Sequence, residues 1–167
     1  MGSQFNFNLS DKVFDKIRNN ISQHTIDLIN LSPTLQAQLH AYAADDKQLV
    51  IDNTVGKGAQ YDPVKNEIAF GPDFFADMAA KGWGERGIVG TLGHELWHYI
   101  DRVNIQTTAE KNGFDYFIRD ARVEAYAVAN NYLVYREILD GYNYRWVLGD
   151  TVLPLSITDS SQAVISV

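Results

Sequence analysis

Thr91-Leu92-Gly93-His94-Glu95-Leu96-Trp97-His98-Tyr99-Ile100-Asp101 is the stretch on which the reading of this chain turns. It contains the pattern H-E-x-x-H. On an α-helix, residues i and i+4 lie one turn apart on one face. Two imidazoles at that spacing can converge on a single metal ion, and the Glu after the first His stands beside that ion, placed to take a proton from a bound water. In a chain with four His and six Glu, chance places the pattern in roughly 0.003 of shuffled sequences.

The flanking residues give the helix two distinct sides. Ile88, Leu92, Leu96, Tyr99 and Val103 fall within a stripe of roughly 80° on a helical projection, a core-facing pattern. His94 and His98 lie together about 140° from the centre of that stripe. The competing reading is an exposed or core-satisfied His pair that binds nothing.

Two imidazoles leave a catalytic zinc one protein ligand short. Asp101 lies on the same face but about 10 Å along the axis from His94, so it suits a role orienting a ligand His or capping the substrate cleft. The extended pattern with Gly at position 101 and a further His fails, because the chain has Asp101 and then Asn104-Ile105. Glu124, on the next long helix, is the better third ligand. Its face carries Phe117, Ala121, Ala127, Val128, Asn131 and Tyr135, and a carboxylate on such a face is costly without a partner. A cation between two antiparallel helices is one such partner; an Arg or Lys of another element is the alternative. Asp120, one turn earlier, is the second choice as ligand and the first as a group supporting one.

Outward from these two helices, placed at about 85–104 and 114–140, the chain reads as α+β. Residues 11–30 predict a first helix, with Val13, Phe14, Ile17, Ile21 and Leu28 at helical spacing. Ser32 caps a second helix that has Pro33 at its first position and runs to Ala44. Residues 48–52 read as a short strand. Ala59–Asp62 and Glu67–Phe70 read as a hairpin about Pro63-Val64-Lys65-Asn66, which makes a small antiparallel sheet against the active helix. A short helix is expected from Asp73 to about Lys81. Residues 141–167 read as an aromatic, then apolar tail of coil and a short strand. The whole is taken as one domain, 1–167, with a helical part to about 45, a catalytic core over 48–146 and the tail from 147. His24 and His40 lie away from any motif and read as structural or exposed.

Composition excludes several functions. The 167 residues carry 14 Lys+Arg against 21 Asp+Glu, a formal charge of −7. Such a surface repels phosphate backbones and anionic lipid, so neither nucleic acid nor membrane is an expected partner. With no cysteine there is no disulfide framework, thiolate metal site or cysteine nucleophile. No apolar run reaches 18 residues, and the N-terminus lacks the basic start and apolar stretch of a Sec signal. Any export then uses another route, or the chain is a domain of something longer.

The residues from Thr91 to Asp101 resemble the active helix of bacterial effector metallopeptidases, small zinc proteases injected into target cells. The run from Glu124-Ala125-Tyr126-Ala127-Val128 through Arg136-Glu137 to Gly141 and Arg145 is similar to their second helix. Tyr61-Asp62-Pro63 to Ile68-Ala69-Phe70 resembles the strand before their active helix. The likeness spans about 58–146; residues 1–45 fall outside it. It implies a zincin-like fold of the gluzincin kind, with the Glu at position 124 as third zinc ligand. It also implies a bacterial effector or toxin protease, cytoplasmic before export and then secreted or injected, with a protein or peptide substrate and, for a toxin, an immunity or inhibitor protein.

The expected site therefore has one zinc ion on His94, His98 and Glu124, with Glu95 as general base and Asp101 and Asp120 in support. The metal lowers the pKa of its water to about 7. Glu95 accepts the proton as hydroxide attacks a carbonyl and passes it to the leaving amine. Tyr142, Tyr144, Arg145 and Tyr61 are candidates for stabilising the oxyanion, and the sequence does not choose among them. Glu67, Ile68, Ala69 and Phe70 are the expected edge strand for an extended substrate, or an ordinary half-buried strand. A zinc amidase acting on peptidoglycan or small peptides is the second functional reading, and a non-catalytic metal-binding module the third. Glu95 speaks against the third, since a structural zinc site has no need of a base.

Overall fold

The computed structural model describes residues 6–102 and the backbone of 113–148, with side chains of the second segment described for 121–141. It is α+β. Two 3₁₀ turns, Lys12–Phe14 and Arg18–Asn20, precede α1 (Gln23–Leu31) and α2 (Pro33–Ala44). Strands β1 (Val50–Ile51), β2 (Ala59–Asp62) and β3 (Glu67–Phe70) follow. Then come α3 (Phe74–Ala80), α4 (Gly84–Ile100) and α5 (Gly113–Leu148).

The expected first helix over 11–30 is instead two 3₁₀ turns and a later α-helix. Its apolar positions are still inward: Val13, Phe14 and Ile17 are buried, because repeated tight turns return side chains to one side every three or four residues as a helix does. Local bonds stop the helix from running through. Arg18 donates to the Leu9 and Ser10 carbonyls at 2.9 Å each. Ser22 is extended and begins α1 with a reciprocal cap, its Oγ accepting the Thr25 N–H at 3.2 Å. At the start of α2, Ser32 Oγ accepts the Leu35 N–H with Pro33 at the first position, as the sequence requires.

The sheet order is β1-β3-β2. β2 and β3 form the expected antiparallel hairpin, with Tyr61 opposite Ile68 and Asp62 opposite Glu67. β1 pairs parallel to β3, so the sheet is mixed, not antiparallel. The hairpin turn is held by Asp62 Oδ1, which accepts the Val64 and Lys65 N–H groups, and by Asn66 at φ 52°. Tyr42 of α2 ties helix to sheet: its buried hydroxyl donates to the Gln48 carbonyl at 2.9 Å and accepts the Ile68 N–H at 3.0 Å. Burial pushes its pKa up to about 12.

α4 is the central element, packed against α1, α2, α3, α5, β2 and β3. Ile88, Leu92, Leu96 and Tyr99 are buried along the predicted stripe. The helix ends at Ile100, short of the expected 104. There the Asp101 N–H bonds to the Trp97 carbonyl, and the Arg102 guanidinium donates to the Tyr99 carbonyl at 2.7 Å while lying over the Tyr99 ring. Residues 103–112, including the expected Asn112-Gly113 loop up to 112, lie outside the described residues.

α5 runs to Leu148, past the expected end near 140, so residues 141–148 are helix rather than coil. Gly141 does not end it. That glycine sits where a Cβ would meet Leu31 Cδ2 at 3.0 Å, a close approach to α1. No proline interrupts the sequence until Pro154.

Candidate metal centre

α4 carries glycine at positions 84, 87, 90 and 93, and two of them let α5 come close. A Cβ on Gly93 would press on Val134 Cγ2 at 3.1 Å; one on Gly90 would overlap the Tyr135 hydroxyl. The close crossing carries Glu124 of α5 to the His face of α4. His94 Nε2 lies 3.1 Å from His98 Nε2. Glu124 Oε2 is 3.2 Å from His94 Nε2, and Oε1 is 3.3 Å from His98 Nε2. Among the described residues this is the group of three His, Asp or Glu side chains whose donor atoms converge.

Those distances test the fit of a cation. Tetrahedral coordination with bonds of 2.0–2.2 Å separates its ligand atoms by about 3.3–3.6 Å. The two imidazole nitrogens lie 3.1 Å apart and each has its own Glu124 oxygen at 3.2 or 3.3 Å; with one ligand atom per residue the three groups lie within 4.8 Å of one another, close enough to share one ion. A cation among them would be shared by both imidazoles and the Glu124 carboxylate. Two imidazoles and a carboxylate suit a borderline ion of the zinc type.

Glu124 is half exposed, at 52% of its side chain, rather than enclosed on an apolar face. Ala121, Arg122, Ala125 and Val128 around it are exposed as well. Its ion-pair partners among the described residues are the two imidazoles, with no Arg or Lys. His98 is the more enclosed imidazole, at 11% against 22% for His94.

Glu95 is buried, at 7% exposure, and points at the sheet. Its Oε2 accepts the Tyr61 backbone N–H at 2.7 Å. Burial pushes the Glu95 carboxyl up to about 8, the Tyr61 N–H opposing and the Glu124 charge reinforcing the shift. Tyr61 pairs across the ladder with Ile68, yet its N–H goes to Glu95. That group therefore faces away from β3, on the open edge of β2.

The other expected residues fall as follows. β3 is central, paired on both sides, and Ile68, Ala69 and Phe70 are buried with Glu67 half-buried. β1 pairs with its Ala69 and Phe70, and β2, whose Tyr61 N–H reaches Glu95, is the edge strand beside the site. The Tyr61 hydroxyl donates to Asn66 Oδ1 at 2.7 Å, inside its own hairpin, and it is the Tyr61 main chain that reaches the site. Asp101 caps α4, half-buried, and is not part of the converging group. The side chains of Asp120, Tyr142, Tyr144 and Arg145 lie outside the described residues, although the backbone there is helical. His24 and His40 are exposed, with His40 stacked on Phe7.

Two contributions escape the motif. One is the Tyr61 N–H, a main-chain group with no sequence signal. The other is Asn130, whose signal is a polar residue within an otherwise apolar seam at positions 123, 127, 130, 134 and 138. No helix among the described residues is long and apolar enough to cross a membrane. No family model, curated protein or solved structure matches the chain.

Proposed function

We propose that the protein is a metal-dependent hydrolase of peptide bonds, with zinc held by His94, His98 and Glu124 in a zincin-like arrangement. The observation that carries this reading is the convergence of two imidazole nitrogens 3.1 Å apart on the two oxygens of Glu124, at 3.2 and 3.3 Å, with the buried carboxylate Glu95 next to His94 in the chain. When bound there, a divalent cation supplies Lewis acidity and lowers the pKa of a water to about 7. Glu95 is the proton carrier: a buried carboxylate next to His94 suits a group that takes a proton from water and gives it to a leaving amine. The outer edge of β2 offers main-chain groups along which an extended peptide can lie, which favours a peptide over another amide. The resemblance of the motif extends the proposal to an effector or toxin protease acting in a target cell.

The test is a digest of a proteome-derived peptide library, beside a digest of purified peptidoglycan. Wild type with one equivalent of zinc cleaves the peptides, and Glu95→Gln binds the same zinc with turnover reduced by at least 10²-fold, the lower range for loss of a general base. Equal cleavage by Glu95→Gln removes the hydrolytic assignment. Cleavage of cell wall alone moves it to an amidase.

A further inference from the structure

The buried stripe of α5 consists of Val123, Ala127, Asn130, Val134 and Ile138, and Asn130 and Val134 meet α4 at Gly93. One of the five is polar. Asn130 Nδ2 donates to the Gly93 carbonyl at 2.7 Å and to Gln38 Oε1 at 3.0 Å, and its Oδ1 accepts from Gln38 Nε2 at 2.9 Å. A single amide thus joins α2, α4 and α5.

We propose that Asn130, braced by Gln38, is a positioning residue for the metal centre: it locks α5 on α4 so that the Glu124 carboxylate meets His94 and His98. The inference rests on the metal reading above. Apolar contacts along the seam are non-directional and tolerate small sliding and rotation. A hydrogen bond is directional, and a metal site tolerates displacement of only about 0.5 Å. The two ends of this bond are well chosen. The Gly93 carbonyl belongs to the peptide that leads into His94. Asn130 lies six residues from Glu124, about 9 Å along the helix. Glycine at 93 is part of the device, because a Cβ there would press on Val134, the neighbour of Asn130 one turn along the seam. Gln38 takes the second Nδ2 hydrogen and donates to Oδ1, so the amide is held from both ends in a buried position.

The test compares Asn130→Ala, Asn130→Asp, Gln38→Ala and Val134→Ala. Three quantities are measured: zinc affinity by chelator competition, the visible spectrum of the cobalt-substituted protein, and thermal stability without metal. Asn130→Asp keeps the shape and removes the donor to Gly93. Val134→Ala loosens the same seam without touching a polar group. Both Asn130 variants lose about tenfold or more in zinc affinity with weakened tetrahedral cobalt absorption. Gln38→Ala loses less, and Val134→Ala stays within about twofold of wild type despite its lower stability. Unchanged affinity and spectrum in Asn130→Asp, or in Gln38→Ala and whichever Asn130 variant folds, overturns the positioning role and leaves the metal site standing. An equal loss in Val134→Ala does the same. A wild-type chain that takes up neither zinc nor cobalt overturns both readings.

Discussion

Gly90 faces the Tyr135 hydroxyl, which donates to the Arg86 carbonyl at 3.1 Å. Alanine is the better helix former by up to about 1 kcal/mol, so on propensity alone Gly90→Ala would stabilise α4. Packing reverses the sign. The new methyl overlaps the Tyr135 ring and approaches Asn131 Oδ1 at 2.7 Å, and overpacking of this kind costs about 1–3 kcal/mol. We expect a net loss of up to about 2 kcal/mol in urea unfolding, the difference of those two effects. In a Tyr135→Ala background the same change becomes neutral or stabilising. A loss of equal size in both backgrounds would place the clash elsewhere. At this scale the sequence was most informative where chemistry demands a residue type. His94 and His98 are readable because a shared metal ion would need two imidazoles at that spacing, and Glu95 because the proposed hydrolysis would need a base beside them. Asn130 is not, because its role depends on which carbonyl faces it, and that is decided by a crossing of two helices.

Glu137 shows how one element holds others. From α5 it accepts three bonds at the α1–α2 junction: from Ser32 Oγ at 2.5 Å, Thr34 Oγ1 at 2.7 Å and the Thr34 N–H at 3.0 Å. Ser32 is fully buried and also caps α2, so its hydroxyl donates to Glu137 while its oxygen accepts from Leu35. Glu137→Ala leaves these donors without an acceptor, and an orphaned buried donor costs about 1–3 kcal/mol. We expect about 2–4 kcal/mol for the variant, read as a lower urea midpoint at an unchanged slope. Glu137→Gln keeps an acceptor oxygen and should lose about half as much. A loss below about 0.5 kcal/mol, the level of an ordinary surface change, would mean the clamp is not formed in solution. α2 was legible from Ser32 and Pro33 because a helix start is local chemistry. The sheet was legible only as a hairpin: β1 has two residues, too few to carry a periodicity, and its parallel pairing with β3 is a non-local choice. The length of α5 was misread for the opposite reason, since Gly141 looks like a stop until Leu31 is seen packed against it.

In the molecule as a whole, the three donors come from two helices that adjoin in space and are separated in sequence by residues 101–112. A cation on them would cross-link the second half of α4 to α5, and α4 is the helix that the other described α-helices and the hairpin pack against. Binding at that point therefore stabilises the shared core, not a loop. Mass action gives the size: a ligand at one hundred times its dissociation constant adds about 2.7 kcal/mol to the folded state. The melting temperature of wild type should rise by several degrees with zinc, on the order of 2–4 °C per kcal/mol for a chain of this size, and fall back with a chelator. His94→Ala should show no such rise. Glu95→Gln should show the full rise, because Glu95 turns to the Tyr61 N–H and gives no donor to the converging group. Glu124→Ala decides the remaining ligand. Its carboxylate is half exposed, so its loss should change the metal-free protein little and remove most of the zinc effect. A zinc-induced rise in Glu124→Ala as large as in wild type would separate α5 from the metal centre, even with both imidazoles in place.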